Sequence, residues 1–161
     1  MKNKIKNSIL NLFIKQTDEK VIDSHQEAES KKEIILNLDE IMTLQDIHEF
    51  GIDIISNYAE KEGYEIVAGS LNINENPQLV IRKNEILYFV MVSTGAGKSS
   101  ELYYDKNRAF QVFSEAKKHD AIALYASVGL YCLGYGEILV RNTGYIVDFV
   151  GFKTIILNKK L

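Results

Sequence analysis

The residues whose types could do chemistry are few, and their spacing decides among them. Gly95-Ala96-Gly97-Lys98-Ser99 has the ending of a phosphate-cradling loop. In such a loop several backbone N–H groups point at the phosphates, which requires a first glycine five positions before Gly97. That position holds Val92, inside an apolar run, and Ser99 to Tyr104 shows no immediate helical period. The expectation is a strand-exit loop with at most a weak anion contact at Lys98 and Ser99, and no nucleotide hydrolysis. His25, His48 and His119 lie far apart, and none has the i, i+4 partner of a metal-binding helix. Cys132 is the single cysteine and has no CxxC mate. It reads as a core residue of a strand, so neither a metal nor another cofactor is expected.

The elements that must position these residues follow from periodicity. Thr43 and Asp46 have capping-box spacing, with Asp in place of the usual Glu. Leu44, Ile47, Ile54, Ile55 and Tyr58 predict a helix from there, and Gly63 is its natural stop. Tyr64–Ser70 reads as a strand, and Asn72–Pro77 as a turn cluster. Gln78–Arg82 and Ile86–Thr94 read as a hairpin around Lys83-Asn84-Glu85. A second helix follows, with Ala109, Phe110, Val112, Phe113 and Ala116 on its inner face and His119 near its end. Ala121–Cys132 reads as a buried strand, and Glu137–Arg141 with Tyr145–Leu157 as a last pair of strands. The fold class is therefore α/β (α+β): a central mixed sheet in αβββαβ order, flanked by helices, with an added C-terminal hairpin.

One set of positions carries a resemblance. Gly63-Tyr64 leads straight from helix into strand. Pro77-Gln78 opens the second strand, and Phe89-Val90-Met91-Val92-Ser93 lies in the third. In order and spacing this resembles the PD-(D/E)xK nucleases, the restriction-endonuclease-like and Holliday-junction-resolvase-like proteins, over roughly Thr43 to Cys132. There the second strand opens with Pro-Asp, and the third carries (D/E)-x-K. The resemblance implies that Gln78, Met91 and Ser93 stand where the family keeps its Asp, its second acid and its Lys. Mg²⁺ prefers oxygen ligands, which a thioether does not supply, and serine is no substitute for a cationic lysine. The implied site is thus disused. The expected function is a non-catalytic binding or scaffold module. The alternatives are a nuclease with migrated carboxylates, drawn from Glu49, Glu60, Glu75 and Glu101, and a weak anion or nucleotide binder at the Gly95–Ser99 loop.

Composition limits the partners. A net charge of -3 disfavours broad DNA binding, so the expected partner is another protein or a second copy rather than nucleic acid. Tyr88, Tyr104, Tyr125 and Tyr131 read as half-buried strand and loop residues. The alternative is a stacking groove completed by Arg82, Lys98, Arg108 and Lys117. No apolar run is long enough to span a bilayer. With one cysteine and no secretory pattern, the expected location is the cytoplasm. Residues 1–32 read as an amphipathic basic helix, with Ile5, Ile9, Leu12 and Phe13 on one side, followed by a polar connector. Residues 33–161 read as a single domain. The helix is expected to dock on its own domain or a twin subunit, with a membrane surface or a partner protein as the alternative.

Overall fold

A computed structural model of the chain describes residues 37–157. The expectations for residues 1–36 lie outside the described residues. Helix α1 spans Leu44–Lys61. Its capping box is complete: the Thr43 hydroxyl accepts from the Asp46 amide, and the Asp46 carboxylate accepts from the Thr43 amide at 2.6 Å. The same carboxylate is paired with Arg141. Its bonds to Thr43, and then Arg141, hold Asp46 below the usual carboxylate range. Gly63, at φ 81°, ends the turn after the helix, a conformation glycine adopts without steric cost.

Strands β1 (Glu65–Gly69), β2 (Leu79–Lys83) and β3 (Ile86–Ala96) form an antiparallel meander. Asn84 and Glu85 both have positive φ, so a two-residue turn joins β2 to β3 with the twist hairpins favour. Helix α2 (Lys106–Lys118) then crosses over to β4 (Ile122–Cys132), which lies parallel to β3. The Asp105 carboxylate caps α2 by accepting from the amides of Asn107 and Arg108. The sheet runs β1-β2-β3-β4-β5, where β5 is Tyr145–Asp148, and β6 (Lys153–Thr154) also pairs with β4. This is the expected mixed αβββαβ sheet with one helix on each face. No helix among the described residues is long and apolar enough to cross a membrane.

Alternation along β3 divides the core. Val90 and Val92 join Ile47, Ile52, Ile55 and Ala59 of α1 on one face. Phe89 and Met91 join Ala109, Val112 and Ala116 of α2 on the other. Each large aliphatic side chain so buried contributes about 1.5–3 kcal/mol.

Three expectations need correction. Leu44 is 65% exposed and Phe110 59% exposed, so neither belongs to its helix's buried stripe. Glu137–Arg141 forms no strand; Val140 makes one isolated bridge to Ile41 instead. Tyr145–Leu157 is not continuous, because Phe149 and Phe152 leave the strand line to pack edge-on against Tyr58. Both short strands that result pair with β4, so the C-terminal hairpin forms between β4 and β5.

Candidate functional site

Pro77 has no N–H to give a ladder, and β2 begins just beyond it. Gln78 bridges the gap. Its amide donates to Val90 O at 3.0 Å, and its carbonyl accepts from the Ser70 amide. Its side chain then adds one further bond along β3: Oε1 accepts from the Val92 amide at 2.9 Å. The residue is fully buried, yet its Nε2 has no hydrogen-bond partner among the described residues. Met91 is also fully buried, in the apolar cluster against α2. Ser93, half-buried, donates to Tyr103 O at a long 3.4 Å. The three positions thus serve a backbone, a core and a loop.

Two further residues, His48 and Arg108, were not singled out as a pair by the sequence. His48 lies on α1, 1% exposed, and its Nε2 likewise has no hydrogen-bond partner among the described residues. Burial holds its pKa below the usual histidine range; the Arg108 charge adds to this, and Glu49 opposes it. His48 falls on the spacing His48, Ile52, Ile55, Ala59, which is the buried stripe of α1. That spacing was visible in the sequence, but a histidine inside an apolar stripe reads first as a flank residue. Arg108, half-buried in the first turn of α2, donates through Nε and Nη2 to Asn76 Oδ1, both at 3.1 Å. Asn76 is two residues before Gln78. No signal in the sequence links Arg108 to a side chain 32 positions earlier.

The Gly95–Ser99 loop is engaged from within. The Ser99 amide and hydroxyl both donate to Asp148 Oδ2, at 2.7 and 3.0 Å. Lys98 lies 3.7 Å from Glu101 in an exposed pair. The chain's own carboxylate therefore sits where a bound anion would meet Ser99. Isothermal titration with ATP or GTP and Mg²⁺ should detect no micromolar binding. Asp148→Ala should lower stability by about 2 kcal/mol, since hydrogen bonds to a charged group are lost and buried donors are left without a partner. Micromolar nucleotide binding abolished by Lys98→Ala would reverse this reading.

The remaining candidates are dispersed. Glu49 accepts from Gln45, Glu75 from Asn72, and Glu60 is exposed. Among the described residues no group of three His, Cys, Asp or Glu could hold a metal ion. His119 ends α2 and bonds Glu115, and Cys132 is buried with Sγ 2.9 Å from Thr143 Oγ1. The aromatic and basic residues considered for a stacking groove also separate: Tyr88 packs edge-on to Tyr64, Tyr104 to Tyr125, and Arg82 pairs with Glu65. Two surface grooves, of about 360 and 420 Å³, lie by Phe113 and Ile155 and by Tyr58 and Phe149; neither is lined by Gln78 or Met91.

A comparison with curated proteins finds no match. A comparison with protein families does: residues 45–155, which hold both helices, all five strands through β5 and the Gln78 junction, match a domain of unknown function (DUF8840), and the chain belongs to that family.

Proposed function

We propose that this chain is a non-catalytic binding or scaffold module on a nuclease-like fold whose cutting site has been filled in. One observation carries the reading. Met91 occupies the position at which the PD-(D/E)xK pattern places an acid, and it is fully buried among Ala109, Val112 and Ala116. A metal-binding carboxylate needs a polar, partly hydrated surrounding. Gln78 supports the same reading, because its one carbonyl oxygen is committed to the Val92 amide. Ser93 brings no cation to stabilise charge on a phosphate.

A protein partner or a second copy fits better than nucleic acid. Ile146 and Val147 on the end strand of the sheet, and Val150 just beyond it, are exposed, and the net charge is -3. The single cysteine fits a reducing, cytoplasmic setting.

The test is a cleavage assay on the purified full-length chain. Single- and double-stranded DNA and RNA should remain intact with Mg²⁺ or Mn²⁺. Metal-dependent cleavage that is lost on Glu75→Ala or Glu101→Ala would establish migrated carboxylates instead.

A further inference from the structure

The charges of helix α2 are sorted by side. The helix carries four cations, Lys106, Arg108, Lys117 and Lys118, and one acid, Glu115, in a chain whose net charge is -3. Positive charge is therefore local to this element. At about 3.6 residues per turn, Lys106, Phe110 and Lys117 fall within one narrow arc of the helix surface, away from the buried Ala109, Val112 and Ala116. All three are exposed, Phe110 by 59%. Glu115 lies round the helix from this ridge and accepts from Lys118 and His119. Arg108 is turned the same way, to Asn76. Lys106 and Lys117 make no ion pair among the described residues.

An exposed phenylalanine alone is ordinary, since folded surfaces carry many apolar atoms. Here it continues into a groove. Phe113 and Lys117, one and two turns beyond Phe110, line a groove of about 360 Å³ where the end of α2 meets β4 and β6. Phe113, Ile122 and Ile155 give it an apolar lining, and Ile122 is 37% exposed. Asp120 is the one acid in that lining. A ligand's acids would be repelled there and attracted to the lysines of the ridge, so the group that enters the groove must be apolar.

We infer that the Lys106, Phe110 and Lys117 ridge, with the groove beside it, binds an acidic segment of a partner protein that carries an apolar anchor residue. The complementarity of charge sets the sign of the partner, and the aromatic side chain and groove supply the desolvated contact that holds it. The inference rests on the proposed reading of the chain as a binding module, and it names the class of partner and the face that meets it.

The probe is a fluorescein-labelled synthetic peptide of aspartate and glutamate with a central Phe-Leu pair, titrated against the full-length chain and followed by anisotropy and backbone amide signals. Binding should be saturable, should weaken as salt rises, and should shift the amides of α2, Ile122 and Ile155. A peptide with lysine in place of the acids should not bind. The double variant Lys106→Glu, Lys117→Glu should weaken binding at least about tenfold, and Phe110→Ser about tenfold. The double variant Lys61→Glu, Lys98→Glu makes the same change of charge on other elements and should stay within about twofold of the parent. All these side chains are exposed, and matching melting temperatures verify that each variant folds. No binding of the acidic peptide, or equal weakening by both double variants, would overturn the inference. Tighter binding of single-stranded DNA or of phosphatidylserine vesicles would overturn the protein partner, and a dimer that dissociates in Lys106→Glu, Lys117→Glu would put a second copy in its place. The same preparation is assayed for cleavage. Absence of both peptide binding and cleavage removes this surface and leaves the non-catalytic reading standing, whereas metal-dependent cleavage removes that reading itself.

Discussion

Met91→Glu should lower stability by about 4 kcal/mol at neutral pH, the loss expected for an uncompensated charge in the interior. The side chain it replaces has no exposure and touches only the apolar cluster between β3 and α2. A carboxylate there meets neither water nor a cation, so it avoids ionising by raising its pKa. The pH dependence follows from that shift. An acid whose folded pKa lies above its unfolded value binds more protons in the folded state, so the variant loses stability as pH rises from the unfolded value, about 4.3, through the folded one. Relative to the parent, the deficit should therefore be smaller near pH 4 than at pH 7. Met91→Leu, which conserves volume and chemistry, should cost less than about 1.5 kcal/mol. Urea denaturation of the three proteins at the two pH values measures both effects. If Met91→Glu is as stable as the parent, or gains stability on adding Mg²⁺, the position lies in a polar cavity and the filled-in site is wrong.

The contrast between what the chain announces and what it conceals runs along the same elements. Helix α1 was legible at both ends because its signals are local: Thr43 and Asp46 three residues apart, and Gly63 just past the last turn. The β2–β3 hairpin was legible from alternation, although Asn84-Glu85 lacks the glycine that usually marks such a turn. The C-terminal third was read less well. Tyr145 to Leu157 is apolar enough to pass for one strand, but Gly151, at φ 89°, lets the chain turn beside Tyr58, and Phe149 and Phe152 pack there. Glu137–Arg141 was misread because its partner is the segment before α1: Leu139 O accepts from the Met42 amide, and the Arg141 amide donates to Glu40 O. Pairing across about a hundred residues leaves no periodic trace.

The candidate site shows the same division. Gln78, Met91 and Ser93 were singled out by the order and spacing of a resemblance; Met91 and Ser93 lie in β3, and Gln78 just precedes β2. Contacts supplied by the helices were not legible. Arg108 reaches Asn76 from a helix on one face of the sheet, while His48 comes from the helix on the other. The Ser99 contact with Asp148 joins a loop to a strand 49 residues away. At Arg108 and at Ser99 a polar group takes a partner that only tertiary packing supplies.

Gly129→Ala should cost about 3 kcal/mol, at the upper end of what overpacking does. In a domain of this size that corresponds to a fall in melting temperature on the order of 10 °C. Gly129 lies in β4 opposite Gly95 in the parallel register, under the Gly97–Ser99 turn. A methyl group at Gly129 would fall against Gly97 O, within 2.5 Å of the Ser99 nitrogen and 2.8 Å of the Lys98 carbonyl carbon. These are backbone atoms, which cannot rotate aside as a side-chain end can. The turn must lift, and in lifting it draws the Ser99 amide and hydroxyl from Asp148 and the Gly97 amide from Leu130 O. The substitution thus couples a steric cost to lost hydrogen bonds between β4, β5 and the loop. Gly134→Ala is the control. A Cβ there meets nothing within 4 Å, so only its positive φ of 86° opposes the change, at about 1 kcal/mol. Thermal and urea unfolding of both variants, with hydrogen exchange at the Gly97 and Ser99 amides, reads the two effects separately. Protection at those amides should fall in Gly129→Ala and hold in Gly134→Ala. If Gly129→Ala unfolds like the parent with protection intact, the turn does not rest on β4, and the seal formed by Asp148 at Ser99 is not what holds the loop.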